Sequence, residues 1–581
     1  MKLVRRAALA LLAALSSPLA AQGRPAAPSG EAAERPRLVV VCSIDQLARW
    51  VFDAALPHFA PDGGFRRLLD GGIAFGNCAY RHACTETGPG HATIGTGVDA
   101  RVHGIVKNEW FDAASKSPVY CVSDPAAAAL PQFPFGKNRG PGRLLVPTLG
   151  DLLKQHDANS KVVSISHKDR SAILMGGARA DAVLWFENGA GTFVTNALWG
   201  ATPPRWLLDF AATKPADRFF GWTWARCGDD AAYAGLDDDR KFEAAHSSGG
   251  KRTLPVTIVG GKLEEPGAPF YLEAFLSPIA DEVVLDAALA ALRSADLGQD
   301  DVPDLFWISF SATDTVGHFF CPDGVEARDT LLRVDRLLAR LFAALDERVG
   351  AGRYAFVLTA DHGVGLPPDV SKQKGLGGGR TLLHTHARNA AEQALRAHFG
   401  IGGGTGDADG AAAAPSTGPP APFVLWAGEF TLALDRARIV ALRPDADPAR
   451  TFTDACDVVA VAVAKVNGIE RAFVVSEVLS NGPGDDPIRR AIWFSLSPGR
   501  SGDVAFAVAP YWLEAGLPAS HGTPHAYDRE VPLLALGPGL RAGDRPVAAV
   551  TPGLCAVLAA HWLGIAAPVQ SDPLPEGLFV R

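Results

Sequence analysis

The chain has 581 residues, 48% of them hydrophobic and 20% charged, with a formal net charge of −8. These proportions fit a globular protein with a large core, and exclude a disordered or collagenous chain. An acidic chain also lacks the Lys and Arg surplus that replaces counterions along a phosphate backbone, so no nucleic-acid partner is expected.

The chain opens with Lys2, Arg5 and Arg6, an apolar run over residues 7–15, and then Ser16-Ser17-Pro18-Leu19-Ala20-Ala21. That is the pattern of a secretory signal peptide over residues 1–21, cleaved near Ala21, and its run is too short to span a bilayer. Cleavage removes three positive charges and no negative one, moving the net charge from −8 to −11. A periplasmic or secreted location follows. Residues 22–35, rich in Pro, Ala, Gly and Glu, read as a flexible leader, and residues 36–581 as the folded domain.

Within that domain the first strand falls at residues 37–44. Thr148 is placed to cap a helix over 148–156 whose apolar face is Leu149, Leu152 and Leu153. A strand at 161–166 follows. Residues 195–285, with many Trp, Phe and Gly, read as an inserted cap, and residues 283–292 as a buried helix. Strands at 305–310 and 354–359 flank a long amphipathic helix marked by Leu331, Val334, Leu338, Leu341, Phe342 and Leu345. Residues 401–422 are a low-complexity loop and 423–520 a second insertion. A strand at 531–536 and a helix at 551–562 close the chain. Strand–helix–strand order predicts an α/β fold: a doubly wound, mostly parallel sheet with helices on both faces and cap insertions. No later apolar stretch is long enough to predict stable membrane insertion.

The eight cysteines form no CxxC pair, so a cysteine metal site is not expected, and spacing alone does not give disulfide pairing. Cys42 and Cys555 could equally be small buried hydrophobes.

The chemistry lies in Asp and His residues at strand ends. Asp45 follows Leu38-Val39-Val40-Val41, Asp314 and His318 follow Leu305-Phe306-Trp307-Ile308, and Asp361-His362 follow Phe356-Val357-Leu358. His521 stands shortly before the strand at 531–536. Six such oxygen and nitrogen ligands can hold two metal ions. Asp314 and His318 share a face if the segment is helical. Thr87, in Thr85-Glu86-Thr87-Gly88-Pro89-Gly90-His91, offers a hydroxyl nucleophile at a helix start, where following backbone amides could cradle an anion. Thr85 is its nearby competitor. Two metals and an activated hydroxyl suit displacement at phosphorus. In Lys168-Asp169-Arg170, an extended backbone would point Lys168 and Arg170 the same way and Asp169 elsewhere. Two converging cations favour a phosphate monoester dianion over a diester monoanion. His91 and His525 read as hydrogen-bonding or structural residues.

Asp45, Thr87-Gly-Pro-Gly-His91, His103-Gly104, Asn108-Glu109-Trp110, Lys168-Asp169-Arg170, Asp314-x-x-x-His318, Asp361-His362-Gly363 and His521-Gly522-Thr523-Pro524 follow the order seen in the alkaline phosphatase superfamily. The chain resembles its PafA-type, phosphate-irrepressible branch, close to the type I phosphodiesterases and nucleotide pyrophosphatases. The resemblance runs from about residue 37 to the C-terminus and is weakest in the insertions. It implies a two-zinc alkaline phosphatase of broad range, with Thr87 transiently phosphorylated. Asp314, His318 and His521 would hold one zinc; Asp45, Asp361, His362 and the Thr87 oxygen would hold the other. Asn108 would donate to a phosphoryl oxygen, and Lys168 with Arg170 would mark the monoesterase branch.

A sulfatase of this superfamily needs a modifiable Cys followed two residues later by Pro or Ala and then by Arg, and Cys84-Thr85-Glu86-Thr87-Gly88 lacks that Arg. Two alternatives stay open: a phosphodiesterase on the same site, and a non-catalytic exported protein that binds phosphate esters. The donor set suits zinc and manganese alike. Small phosphate monoesters are the expected partners, and a monomer is the default oligomeric state.

Overall fold

The computed structural model describes residues 35–401 and 421–580. The predicted signal peptide, nearly all of the leader and most of the 401–422 loop lie outside the described residues.

The sheet that positions the site has eight strands. In chain order, five of them are β1 (Leu38–Ile44), β2 (Ile73–Phe75), β3 (Val162–Ser166), β4 (Ala182–Glu187) and β5 (Thr192–Val194). β6 (Asp304–Phe310) and β7 (Tyr354–Thr359) come next. Four further strands, β8 (Val424–Ala427), β9 (Thr431–Leu434), β10 (Ile469–Val474) and β11 (Val504–Val508), make a separate antiparallel sheet before β12 (Leu533–Leu536) returns to the first. The large sheet runs β2-β12-β7-β1-β6-β3-β4-β5. Its centre, β7-β1-β6-β3-β4, is parallel throughout, while β12 and β5 pair antiparallel at the flanks. All seven residues of β1 are buried, and so are all seven of β6. Strands covered on both faces read as unbroken apolar runs, which is why they stand out in the sequence.

The helices that build and support the site are α1 (Thr87–Thr96), α2 (Leu149–His156), α3 (Asp169–Gly176), α4 (Ile279–Ser294), α5 (Ala312–Phe320), α6 (Val325–Arg348) and α7 (Leu554–Leu563). α1, α2, α3 and α7 pack with one another, and α4, α5 and α6 form a second set. The doubly wound expectation is met. α2 starts as the sequence predicts: Thr148 Oγ1 accepts from Asp151 N (3.1 Å) and Asp151 Oδ2 accepts from Thr148 N (3.1 Å). α6 buries its apolar stripe, and also Asp335, whose carboxylate accepts from the backbone amides of Ala60 (3.0 Å) and Phe65 (2.8 Å).

The second sheet has its own core, including Leu432, Val459 and Phe506, built with the helices Leu383–His398 and Pro448–Val463. A small third cluster joins Phe430, Ile492 and Leu496 to Ala83 and Cys84, on the loop leading into α1. Ser495 Oγ accepts from Ala83 N (2.7 Å) and fixes that loop. All eight cysteines are unpaired, and Cys42 and Cys555 are buried as apolar residues.

Candidate active site

β7, β1, β6 and β3 are neighbours, so their carboxyl ends present four consecutive segments along one sheet edge. β1 delivers Asp45, β7 delivers Asp361 and His362, β6 leads through Ser311 into α5 with Asp314 and His318, and β3 leads to Lys168 and Arg170. Open α/β sheets place their ligands at this edge. α1 lies across it, and Gly90 makes that approach feasible: a Cβ there would come 2.0 Å from the Asp361 carbonyl oxygen. His521 arrives from the segment before β12.

All six sequence-derived ligand candidates meet. Ligand atoms of Asp314, His318 and His521 lie within 4.8 Å of one another, as do those of Asp45, Asp314 and His362. Asp361 joins through its Oδ2, 3.4 Å from His362 Nε2, while its Oδ1 accepts from Gln46 N (3.0 Å). Asp314 therefore stands between the two groups.

Three histidines are held alike. His318 Nδ1 sits 2.8 Å from the Ala519 carbonyl, His362 Nδ1 3.0 Å from Gly363 O, and His521 Nδ1 2.7 Å from Thr85 O. A carbonyl only accepts, so each Nδ1 carries a proton, and a ring in that neutral tautomer turns its Nε2 lone pair inward. Those lone pairs face carboxylates: His318 and His521 lie 3.2 and 3.5 Å from Asp314 Oδ1, and His362 lies 3.5 Å from Asp45 Oδ1. Lone pair against lone pair is unfavourable unless a proton or a cation lies between. Backbone-anchored imidazoles of this kind are the usual supports of a metal ligand.

The charges make the same demand. Asp45, Asp314 and Asp361 are buried, and among the described residues the ammonium that meets them is Lys168, 2.6 Å from Asp45 and 2.5 Å from Asp314. Apart from that ion pair, neither Asp45 oxygen has a well-angled hydrogen-bond donor among the described residues, nor has His362 Nε2, and Asp361 Oδ2 has only the His91 Nδ1 contact at 3.2 Å. Burial, reinforced by Asp361, pushes the Asp45 carboxyl well above its usual range. Burial acts on Asp314 as well, but Lys168 and His318 overcome it and hold that group well below. His362 is pushed down to about 3, chiefly by burial. Burial also opposes protonation of His521, yet the Asp314 hydrogen bond and charge carry it above its ordinary value. Buried anions this poorly compensated are costly without further positive charge. The donor set fits two divalent cations.

Thr87 is buried at the first position of α1, and its Oγ1 accepts from Arg170 Nη2 (3.2 Å). Thr85 is engaged elsewhere, donating to Thr523 O (3.1 Å). The amide cradle expected after Thr87 is not available. Gly88 N donates to Asn108 Oδ1 (2.7 Å), Gly90 N donates to Glu86 O (3.0 Å), and Pro89 has no N–H. The extended reading of Lys168-Asp169-Arg170 is also corrected. Helix α3 starts at Asp169, with Lys168 as its N-cap and Arg170 in its first turn. Lys168 and Arg170 still reach the same site, while Asp169 turns to Tyr120 OH (2.6 Å) and Arg139 Nε (2.7 Å).

His91 hydrogen-bonds within the site, with Nδ1 2.9 Å from Thr87 O and 3.2 Å from Asp361 Oδ2, and Nε2 2.9 Å from Ser309 Oγ. His525 Nε2 lies 2.9 Å from Val508 O, away from the ligand groups. Sequence reasoning missed Gln46, which donates through Nε2 to Asp314 Oδ1 (2.7 Å) from a backbone at φ 66°. It missed Glu86 too, which accepts from Asn108 N (2.8 Å) and pairs with Lys107 (2.7 Å).

Over residues 39–388 the chain matches the family described as type I phosphodiesterase / nucleotide pyrophosphatase. Alkaline phosphatase PhoK of Sphingomonas sp is 30% identical to it, over 98% of this chain and 97% of PhoK. Alkaline phosphatase PhoV of Synechococcus elongatus is 33% identical over 60% of this chain, and the match spans 62% of PhoV, less than two thirds of its length. The crystal structure of wild-type alkaline phosphatase PafA superposes with a TM-score of 0.82 at 25% identity, covering 95% of this chain and 100% of that one.

Proposed function

We propose that this chain, which belongs to the type I phosphodiesterase / nucleotide pyrophosphatase family, is an exported two-zinc alkaline phosphatase that hydrolyses phosphate monoesters through a phosphothreonine at Thr87. Relatives named alkaline phosphatase that match along nearly their whole length make it a phosphoric monoester hydrolase. The observation that carries the finer reading is the set of three Nδ1-anchored imidazoles turned toward three buried carboxylates, two of which share the Lys168 ammonium, beside a buried threonine.

Asp45, Asp361 and His362 would hold one zinc, with the Thr87 oxygen, and Asp314, His318 and His521 the other. When bound, the pair would lower the pKa of the Thr87 hydroxyl, so that its proton is lost to solvent, and would neutralise charge on the departing oxygen. Thr87 Oγ attacks phosphorus, the bond to the alcohol breaks, and water later cleaves the phosphothreonine. Arg170, already against Thr87 Oγ1, holds a phosphoryl oxygen. Asn108 has committed its Oδ1 to Gly88 N, which leaves its Nδ2 amide for another. Lys168 here neutralises Asp45 and Asp314, and turns to the phosphoryl group when cations take those carboxylates. In this reading residues 36–581 form the catalytic domain, interrupted by the cap at 195–285 and the unit at 423–520. Export is supported by the residue 1–21 pattern, and no helix among the described residues is long and apolar enough to cross a membrane.

The test compares kcat/KM for an aryl phosphate monoester and the matching diester on protein of measured metal content. A monoester preference supports the proposal. A diester preference moves the chain to the phosphodiesterase reading, and no turnover by metal-loaded protein leaves only binding.

A further inference from the structure

A cavity of about 390 Å³ opens outward from the site. Its floor includes His318, His521 and Asn108; its rim includes Trp426 of β8, Glu429 in the turn between β8 and β9, His384, and Glu109. Thr87 does not line it, whereas His318 and His521 do, so in the reading above the cavity adjoins the ligand group that does not include the attacking oxygen.

The rim has a definite charge. Glu86 is matched by Lys107 at 2.7 Å, leaving Glu109 and Glu429 as carboxylates with only a longer contact, Lys107 to Glu429 at 3.6 Å. Both are exposed, and Lys107 is the one Lys or Arg in the lining. Trp426 is half-buried beside them, and its indole packs where Gly428 has no side chain: a Cβ there would fall 2.8 Å from Nε1. An aromatic face flanked by carboxylates attracts an ammonium group through the ring quadrupole and the local field. The deep site, with Lys168 and Arg170, attracts phosphate. With the two cations of the reading above bound, the two fields would be opposite in sign.

Resting on the phosphomonoesterase reading above, we propose that Trp426, Glu109 and Glu429 form a leaving-group subsite selecting phosphate monoesters of cationic alcohols, of the aminoalkyl and quaternary-ammonium-alkyl class, over esters whose leaving group carries further phosphate.

The experiment measures kcat/KM at low ionic strength for phosphocholine, glycerol phosphate and fructose 1,6-bisphosphate, in the full chain, in Glu109→Gln/Glu429→Gln and in Trp426→Ala. Wild type should prefer phosphocholine to the bisphosphate, and the double variant should compress that ratio about tenfold to a hundredfold, as expected for two partly screened charges. Trp426→Ala should lower the phosphocholine-to-glycerol-phosphate ratio. Raising salt on wild type should compress the charge preference without any mutation. Hydrolysis of glycerol phosphate with a charge ratio that neither the variants nor salt change overturns this subsite alone. Failure to hydrolyse any of the three esters instead overturns the phosphomonoesterase reading.

Discussion

Arg170→Ala separates phosphoryl recognition from folding and metal binding. Nη2 lies 3.2 Å from Thr87 Oγ1, and the guanidinium leans on Tyr120 OH (3.5 Å) rather than hydrogen-bonding to a carboxylate or imidazole of the metal-ligand set. Its loss removes a charge-assisted hydrogen bond of about 1.5–3 kcal/mol in a buried site. At about tenfold per 1.4 kcal/mol, monoester kcat/KM should fall roughly 10- to 150-fold. A diester has one non-bridging charge fewer and should lose clearly less. The assay is steady-state hydrolysis of an aryl phosphate and its methyl diester by both proteins, with metal content and Tm measured on the same samples. Equal losses on both substrates, or a loss of metal in the variant, would refute the reasoning.

Three further outcomes are expected from the geometry. Thr87→Ala should abolish turnover while keeping metal and fold, and acid trapping of wild type should place phosphate on Thr87; phosphate on Thr85 would contradict the assignment. Lys168→Ala leaves Asp45 and Asp314 without their ammonium, so metal-free protein should lose about 3–5 kcal/mol of stability, a gap that zinc should narrow in thermal melts with and without chelator. Burial pushes the Asp281 carboxyl up to about 7, where it accepts from Ser311 N and Ala312 N at the start of α5. A raised carboxyl stabilises below its unfolded value near 4, and that contribution is lost as pH rises through about 7, amounting to up to about 4 kcal/mol. Wild type should therefore lose more Tm between pH 5 and pH 8 than Asp281→Asn; parallel curves would disprove it.

The parallel core was legible because strands covered on both faces must be apolar throughout, and the charged residues ending them are conspicuous against that background. Asp45 and Asp361-His362 stood out for this reason. Lys168-Asp169-Arg170 misled because charge spacing carries no mark of where a helix begins; the helix begins at Asp169, and two long side chains reach the site regardless. The amide cradle failed because Asn108, twenty residues from Gly88, takes the amide that local sequence seemed to leave free. Gln46 and the carbonyls of Thr85, Gly363 and Ala519 left no signal. One is an ordinary side chain in an unusual backbone conformation, and the others are main-chain atoms that any residue carries.

The central claim is that six side chains from four distant segments hold two metal ions around Thr87. Metal analysis of active, purified protein tests it most directly, together with Asp361→Ala and His521→Ala, one variant for each ion. The account predicts two zinc per wild-type chain, loss of activity on chelation with recovery on adding zinc, and about one equivalent lost in each variant. Fully active protein without stoichiometric transition metal would contradict it.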